Sequence, residues 1–125
     1  MKRDLELIRY ILMKIEADNN FQSSVETEDF YSEEYSEELV QYNLKLLFDH
    51  GIIEGESLKF ANGGMGFLIN GLTWQGHDFL DASRDEKRWA QAKSVLNEVK
   101  DFSIELAMKV LTQLAFSAAQ KAMGM

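Results

Sequence analysis

The sequence predicts an α+β fold, mostly helical, with one β-hairpin and a helical C-terminal extension. Three observations carry that expectation. Apolar residues recur at three- and four-residue spacing through most of the chain, the signature of amphipathic helices. Residues 52 to 72 depart from it, reading as two strand-like segments around a glycine-rich turn. The chain contains no proline, so its helices run without kinks.

The first helix is read over residues 3 to 17, where Leu5, Ile8, Leu12 and Ile15, with Ile11 beside them, form one buried stripe; Asp18, Asn19 and Asn20 end it. Residues 19 to 35 are polar and acidic with scattered Phe21, Val25, Phe30, Tyr31 and Tyr35. They read as loop with one short helix or strand. Ser36 then offers an N-cap, Glu37 and Glu38 suit a helix N-terminus, and Gly51 supplies a C′ stop, which predicts a helix over residues 37 to 50. Val40, Leu44, Leu47 and Phe48 form its apolar face.

IIEGESLKFA, the turn at residues 62 to 66 (Asn-Gly-Gly-Met-Gly) and FLINGLT predict the hairpin. Thr73 caps a following helix through Trp74, His77, Phe79 and Leu80, with a break at residues 83 to 85. Trp89, Ala92, Val95 or Leu96, and Val99 form the next stripe. Asp101 or Ser103 caps the last helix, in which Ile104, Ala107 or Met108, Leu111, Leu114 or Ala115, and Ala118 recur. Leu12, Leu44, Leu47, Ile52, Leu72, Trp74 and Leu80 are expected to share one core.

The 125 residues suit one hydrophobic core, and folding removes about two-thirds of the extended chain's surface from water. No linker or repeat appears, so residues 83 to 125 are expected to pack as an extension on residues 1 to 82 or to form a dimer interface. Without cysteine there is neither a disulfide framework nor a thiolate metal site. Glu6, Arg9 and Lys14 interrupt the N-terminal run, so no secretory h-region is read and a cytoplasmic location is the expectation. Residues 102 to 119 carry Glu105, Lys109 and Gln113, too polar for a bilayer span.

The order helix, variable segment, helix, hairpin, helix resembles a winged-helix domain. YNLKLLFDHGIIEG is similar to the second half of a recognition helix entering its first wing strand, and LTWQGHDFLD to the junction of the second wing strand with the next helix. Together with the opening MKRDLELIRYIL and with LTWQGHDFLDASRD, these stretches resemble an uncharacterised bacterial and phage family, domain-of-unknown-function family 2513. The resemblance implies the fold and no established activity. Family members often carry histidine where this chain has Asn43, so a role of that histidine does not transfer.

No constellation reads as catalytic, and neither a cofactor nor a metal is expected. The 62 to 66 turn lacks the Gly-Lys-Ser/Thr ending of a phosphate-binding loop. His77, Asp78 and Asp81 fall within one helical turn without a second ligand cluster, so His77 is read as a packing or hydrogen-bonding residue. His50, just before Gly51, is read as a helix C-terminal cap. Neither histidine is paired in the sequence pattern with a serine or threonine nucleophile. Glu33 with Glu34, and Glu37 with Glu38, are adjacent on a solvated helix start and do not face each other across a cleft. Tyr31, Tyr35, Trp74, Phe79 and Trp89 are read as core, and the alanine-rich last helix, with Met108, Met123 and Met125, as packing either on its own chain or on another copy.

Charge decides between the two functions that such a fold suggests. The chain has 13 basic and 21 acidic residues, net −8. Residues 26 to 50 set Glu26, Glu28, Asp29, Glu33, Glu34, Glu37, Glu38 and Asp49 against Lys45, and residues 51 to 73 add Glu54 and Glu56 against Lys59. Those sums, −7 and −1, are unfavourable for phosphate contact, which needs lysine, arginine or helix N-termini. The favoured expectation is therefore a protein-interaction module. The alternative is a DNA-binding regulator, for which Gln41, Asn43, Lys45, Lys59 and Asn62 are the candidate contacts. In that case a dimer could also gather Lys2, Arg3 and Arg9, or Arg84, Lys87, Arg88 and Lys93, into a basic strip.

Overall fold

The computed structural model describes residues 4 to 18, 25 to 59, 61, 65 to 99 and 103 to 124. Among them it shows helix α1 (Leu5–Asp18), strand β1 (Val25–Glu26), a 3-10 turn (Thr27–Phe30), helix α2 (Glu37–Asp49), strands β2 (Ile53–Lys59) and β3 (Met65–Leu72), and helices α3 (Trp74–Ser83), α4 (Glu86–Asn97) and α5 (Ile104–Ala122). The chain is thus mostly helical α+β, winged-helix-like, with a hairpin wing and a helical extension. It divides into two compact units, residues 1 to 76 and 77 to 125. That division falls inside α3, six residues earlier than the expected boundary after residue 82.

Asp4 starts α1 by accepting the Leu7 N–H at 3.1 Å, a cap the periodicity did not single out. Leu7, Ile8, Ile11, Leu12 and Ile15 are buried along one face. The acidic segment before α2 holds both a short strand and a short helical turn. Val25 and Glu26 pair antiparallel with Ile69 and Leu68, giving the sheet order β1-β3-β2. Thr27 locks this edge: its hydroxyl accepts the Phe67 N–H at 2.7 Å and lies 3.3 Å from the Phe67 carbonyl oxygen.

Ser36 caps α2 through Leu39 N–H, as its position predicts. At the other end Gly51 takes φ +69°, the left-handed conformation glycine adopts without strain. The Ile52 N–H bonds the Leu47 carbonyl and the Gly51 N–H the Phe48 carbonyl, the paired bonds of a Schellman motif. The buried side chains of Leu47 and Ile52 flank it.

From there β2 runs antiparallel to β3, with an irregularity at Glu54 and Gly55. Residues 62 to 64 of the expected turn lie outside the described residues. Thr73 then caps α3, its hydroxyl accepting the Gly76 N–H at 3.1 Å while lying 2.6 Å from the Gly51 carbonyl oxygen. α3 approaches that carbonyl turn so closely that a Cβ on Gly76 would run into the Ile52 carbonyl.

In the second unit Asp85 caps α4 by accepting the Arg88 N–H, a bond that holds its carboxyl below the usual carboxylate range. Ser103 caps α5 through Leu106 N–H; the other candidate, Asp101, lies outside the described residues. Phe79 packs edge-on against Trp89. Leu96, not Val95, is the buried member of its pair. Val99 lies beyond the end of α4 and is exposed.

Two expectations about the core are corrected. Trp74 is 85% exposed, because Thr73 as the cap makes it the first helical residue, on the outer side of the turn. Leu72 is half-buried at the end of β3. Leu80 is fully buried, as are Leu12, Leu44, Leu47 and Ile52.

Replacing Gly76 with alanine should cost about 1–3 kcal/mol, because the obstruction is backbone and cannot rotate away. Leu47→Ala, which opens a cavity at a fully buried site, should cost about 2–5 kcal/mol. Urea unfolding monitored by circular dichroism measures both; a midpoint unchanged by Leu47→Ala would place the buried face of α2 elsewhere.

Candidate interaction surface

The candidate surface draws on β1 and the 3-10 turn, the loop before α2, both ends of α2 and the first wing strand β2, with β1 and β2 at opposite edges of the sheet. Its carboxylates number eight between residues 26 and 50, plus Glu54 and Glu56 in β2, and every one of them is exposed. The local folding reasons differ. Glu26 and Asp29 form the 3-10 turn, the Asp29 carboxylate accepting the Glu26 N–H at 2.9 Å. Glu37 and Glu38 sit at the N-terminus of α2, where the helix dipole favours negative charge. In β2 alternate residues point outward, which puts Glu54 and Glu56 on the solvent side.

The crowding has an electrostatic consequence. The Glu28 carboxyl is pushed above its ordinary range, first by its hydrogen bond to the Glu26 carboxyl and then by that neighbour's charge, with smaller pushes from desolvation, Asp29 and Glu37. Carboxylates this close share protons more readily than isolated ones.

The residues singled out for nucleic-acid contact are placed differently from one another. Gln41 is half-buried, its Nε2 donating to the Tyr31 hydroxyl at 3.0 Å and reaching Glu37 Oε1 at 3.4 Å. Lys45 Nζ pairs with Asp49 at 2.6 Å, so its charge is compensated on α2 itself. Lys59 is exposed at the end of β2, opposite Met65. Asn62 lies outside the described residues.

Asn43 is fully buried, which takes it off any contact surface: Nδ2 donates to the Leu39 carbonyl at 2.9 Å and Oδ1 accepts the Asp4 N–H at 3.1 Å. It is a polar pin between α2 and the start of α1. Helical spacing could not show this, since an asparagine inside an apolar stripe and one beside it look alike in sequence.

Several other basic residues are engaged locally, whereas Lys87 is exposed on α4. Arg9 is 8% exposed and does not present its charge to solvent. In the second unit Arg84 bonds Asp81 at 3.0 Å, Arg88 Nε donates to the Ala82 carbonyl, and Lys93 lies 5.7 Å from the centre of the Trp89 ring. Lys2 and Arg3 lie outside the described residues.

Of the aromatic set, Phe79 and Trp89 are buried, Tyr31 and Tyr35 are half-buried, and Trp74 stands in solvent beside the end of α2. Sequence reasoning missed Trp74 as a surface residue. The available signal was Thr73, because a cap at that position makes residue 74 the first turn of a helix and not part of its inner stripe. His50 Nδ1 lies 3.0 Å from the Leu46 carbonyl oxygen, the capping position expected of it. His77, read as a packing residue, is exposed. Among the described residues no group of three or more His, Asp or Glu side chains is arranged to hold a metal, and no helix is long and apolar enough to cross a membrane.

Fold and surface together describe a mostly helical α+β protein whose first unit exposes many carboxylates. The family model described as "Hypothetical protein (DUF2513)" matches residues 2–103. The chain belongs to that family, domain-of-unknown-function family 2513, as the sequence motifs imply. It is similar to a protein of Haemophilus influenzae (strain ATCC 51907 / DSM 11121 / KW20 / Rd) named "Uncharacterized protein", 34% identical over 115 residues and covering 92% of each chain. No solved structure matches.

Asn43→Ala should cost about 1–3 kcal/mol, since it removes two hydrogen bonds at a buried site. Glu28 gives a pH-dependent test with a definite sign. Its folded-state pKa is raised, so its stabilising contribution is full below its unfolded pKa and is lost as pH rises through the folded value. Glu28→Gln should therefore raise the melting temperature at pH 7 and lose that advantage as the wild-type carboxyl is protonated. Thermal melts between pH 4 and pH 7 on the two proteins read this directly; equal gains at both ends would remove carboxylate crowding as the cause.

Proposed function

We propose that the chain is a cytosolic, non-enzymatic protein-interaction module that docks a protein of basic surface on the face formed by the 3-10 turn, α2 and the wing. The observation that carries this reading is that every carboxylate of residues 26 to 56 is exposed, while the lysine among them on α2 is spent on Asp49. A negative field of this kind attracts a basic partner and raises its rate of encounter. The exposed Trp74 supports the reading further, because a solvent-facing aromatic ring in the same unit offers the apolar body and π-face on which an arginine or lysine stem packs.

The second reading, a DNA-binding regulator, rests on the winged-helix-like order of elements. It requires cations on the helix and wing that would release counterions from phosphates. The acidic composition of that face weighs against it, and Asn43, one of its candidate contacts, is buried.

The test uses the full chain with two fluorescent probes, a lysine- and arginine-rich peptide and a duplex DNA, each titrated over a salt series. The peptide should bind, weaken as salt rises, and lose most of its affinity with Glu37→Lys and Glu38→Lys together. Trp74 emission should shift on binding, since Trp89 is already buried. DNA affinity below micromolar near about 150 mM salt, with a steep negative salt slope, would replace this reading with the regulator.

A further inference from the structure

The last helix outruns its neighbour. α4 has 12 residues and α5 has 19, about 18 Å against about 28 Å, and a short connection makes them antiparallel neighbours. Ile104, Ala107 and Leu111 are buried on α5, but no described residue after Leu111 is. The expected stripe through Ala118 therefore loses its cover, and α5 continues for about three turns with Phe116 62% and Met123 70% exposed. Residues 112 to 123 carry a single charged side chain, Lys121. A helix this apolar over more than half its circumference is ordinarily packed against something.

We propose that this overhang pairs with the same overhang of a second copy of the chain, antiparallel, about a two-fold axis at Ala119. The size pattern around that residue argues for a second copy over any other occupant. Ala115, Ala119 and Met123 form one row at four-residue spacing, and Phe116 and Ala122 stand three residues to either side of Ala119, so the five share a face. An antiparallel two-fold sets residues equally far before and after Ala119 opposite each other. Phe116 then meets Ala122 of the second copy, Met123 meets Ala115, and Ala119 meets Ala119. Each large side chain faces a small one, the self-complementarity an isologous interface needs.

Charge agrees with this pairing. Lys121 falls opposite Ser117, so no like charges meet, and the contact uses a part of the chain with one charged side chain, in a protein whose net charge is −8. The same net charge disfavours pairing of two copies through their acidic faces. The contact is small, well under the roughly 800 Å² per partner of a standard interface, so the dimer is weak and reversible. It is independent of the acidic docking face and stands or falls separately.

Sedimentation equilibrium of the full chain from about 1 μM to about 1 mM, the range suited to a contact of this size, should show a monomer–dimer equilibrium. Ala119 is exposed, so Ala119→Glu and Ala119→Lys should each leave the circular dichroism unchanged and weaken dimerisation at least about tenfold, because each sets like charges face to face. An equimolar mixture of the two should recover the dimer. The chain has no cysteine, which allows a check of direction. A chain with Ala115→Cys should oxidise to a disulfide with a chain carrying Met123→Cys, and neither should do so with itself. A wild-type chain that stays monomeric throughout would overturn the proposal, as would a dimer indifferent to Ala119→Glu. A concentration-independent loss of melting temperature in Phe116→Ala, without any dimer, would assign the face to the chain's own packing instead.

Discussion

The first unit depends on the turn from Leu47 to Ile52. Gly51 reverses the chain there, and the two carbonyls at the end of α2 that would otherwise lack partners take the N–H groups of Gly51 and Ile52. The same few atoms anchor the far end of the hairpin. Thr73 N–H donates to the Ile52 carbonyl at 3.1 Å, its hydroxyl sits on the Gly51 carbonyl, and Gly76 permits α3 to begin against this backbone. The end of α2, the start of β2, the end of β3 and the start of α3 are thereby fixed relative to one another by backbone groups. Side-chain packing alone would leave more play. Asp49 at the end of α2, Glu54 near the start of β2 and Trp74 at the start of α3 flank this junction.

That rigidity gives meaning to the charge pattern. Carboxylates on a flexible acidic tail would repel one another and spread apart. Here Glu26 and Asp29 are fixed in one turn and Glu37 and Glu38 at the head of a capped helix, and the raised pKa of Glu28 is the mark of that confinement. The fold thus keeps a like-charge arrangement that the side chains would not choose. Sequence alone shows the count of acids, whereas the structure shows that no base among the described residues of α2 offsets them without being consumed by Asp49.

Much of the fold was legible because its boundaries are local chemistry. Ser36 and Gly51 bound α2, Thr73 starts α3, and Ser103 starts α5, each by a hydrogen bond or dihedral that the residue type itself dictates. What could not be read depends on a second element. β1 is two residues long and exists because β3 and the Thr27 hydroxyl hold it. Asn43 is buried because α1 begins beside it and needs an acceptor for Asp4 N–H. The α5 stripe continues past Leu111 with unbroken periodicity, and only the shorter length of α4 reveals where its cover ends.

The two proposed contacts would respond to ionic strength in opposite ways, and this follows from where the charge lies. Residues 1 to 50 carry −7 (12 acids against 5 bases) of the chain's −8, whereas α5 carries Glu105 against Lys109 and Lys121. Attraction between the acidic face and a basic partner is screened as salt rises, because the Debye length falls from about 30 Å at 0.01 M to about 3 Å at 1 M. Pairing through α5 gains from the same change. It buries apolar surface, which salt does not screen, and the repulsion between two net-negative chains is what salt removes. If both proposals hold, low salt would favour a monomer holding a basic partner, and high salt the dimer with its acidic face released. A single salt titration followed at once by partner affinity and by mass separates the two contacts, since no one interface produces opposite slopes.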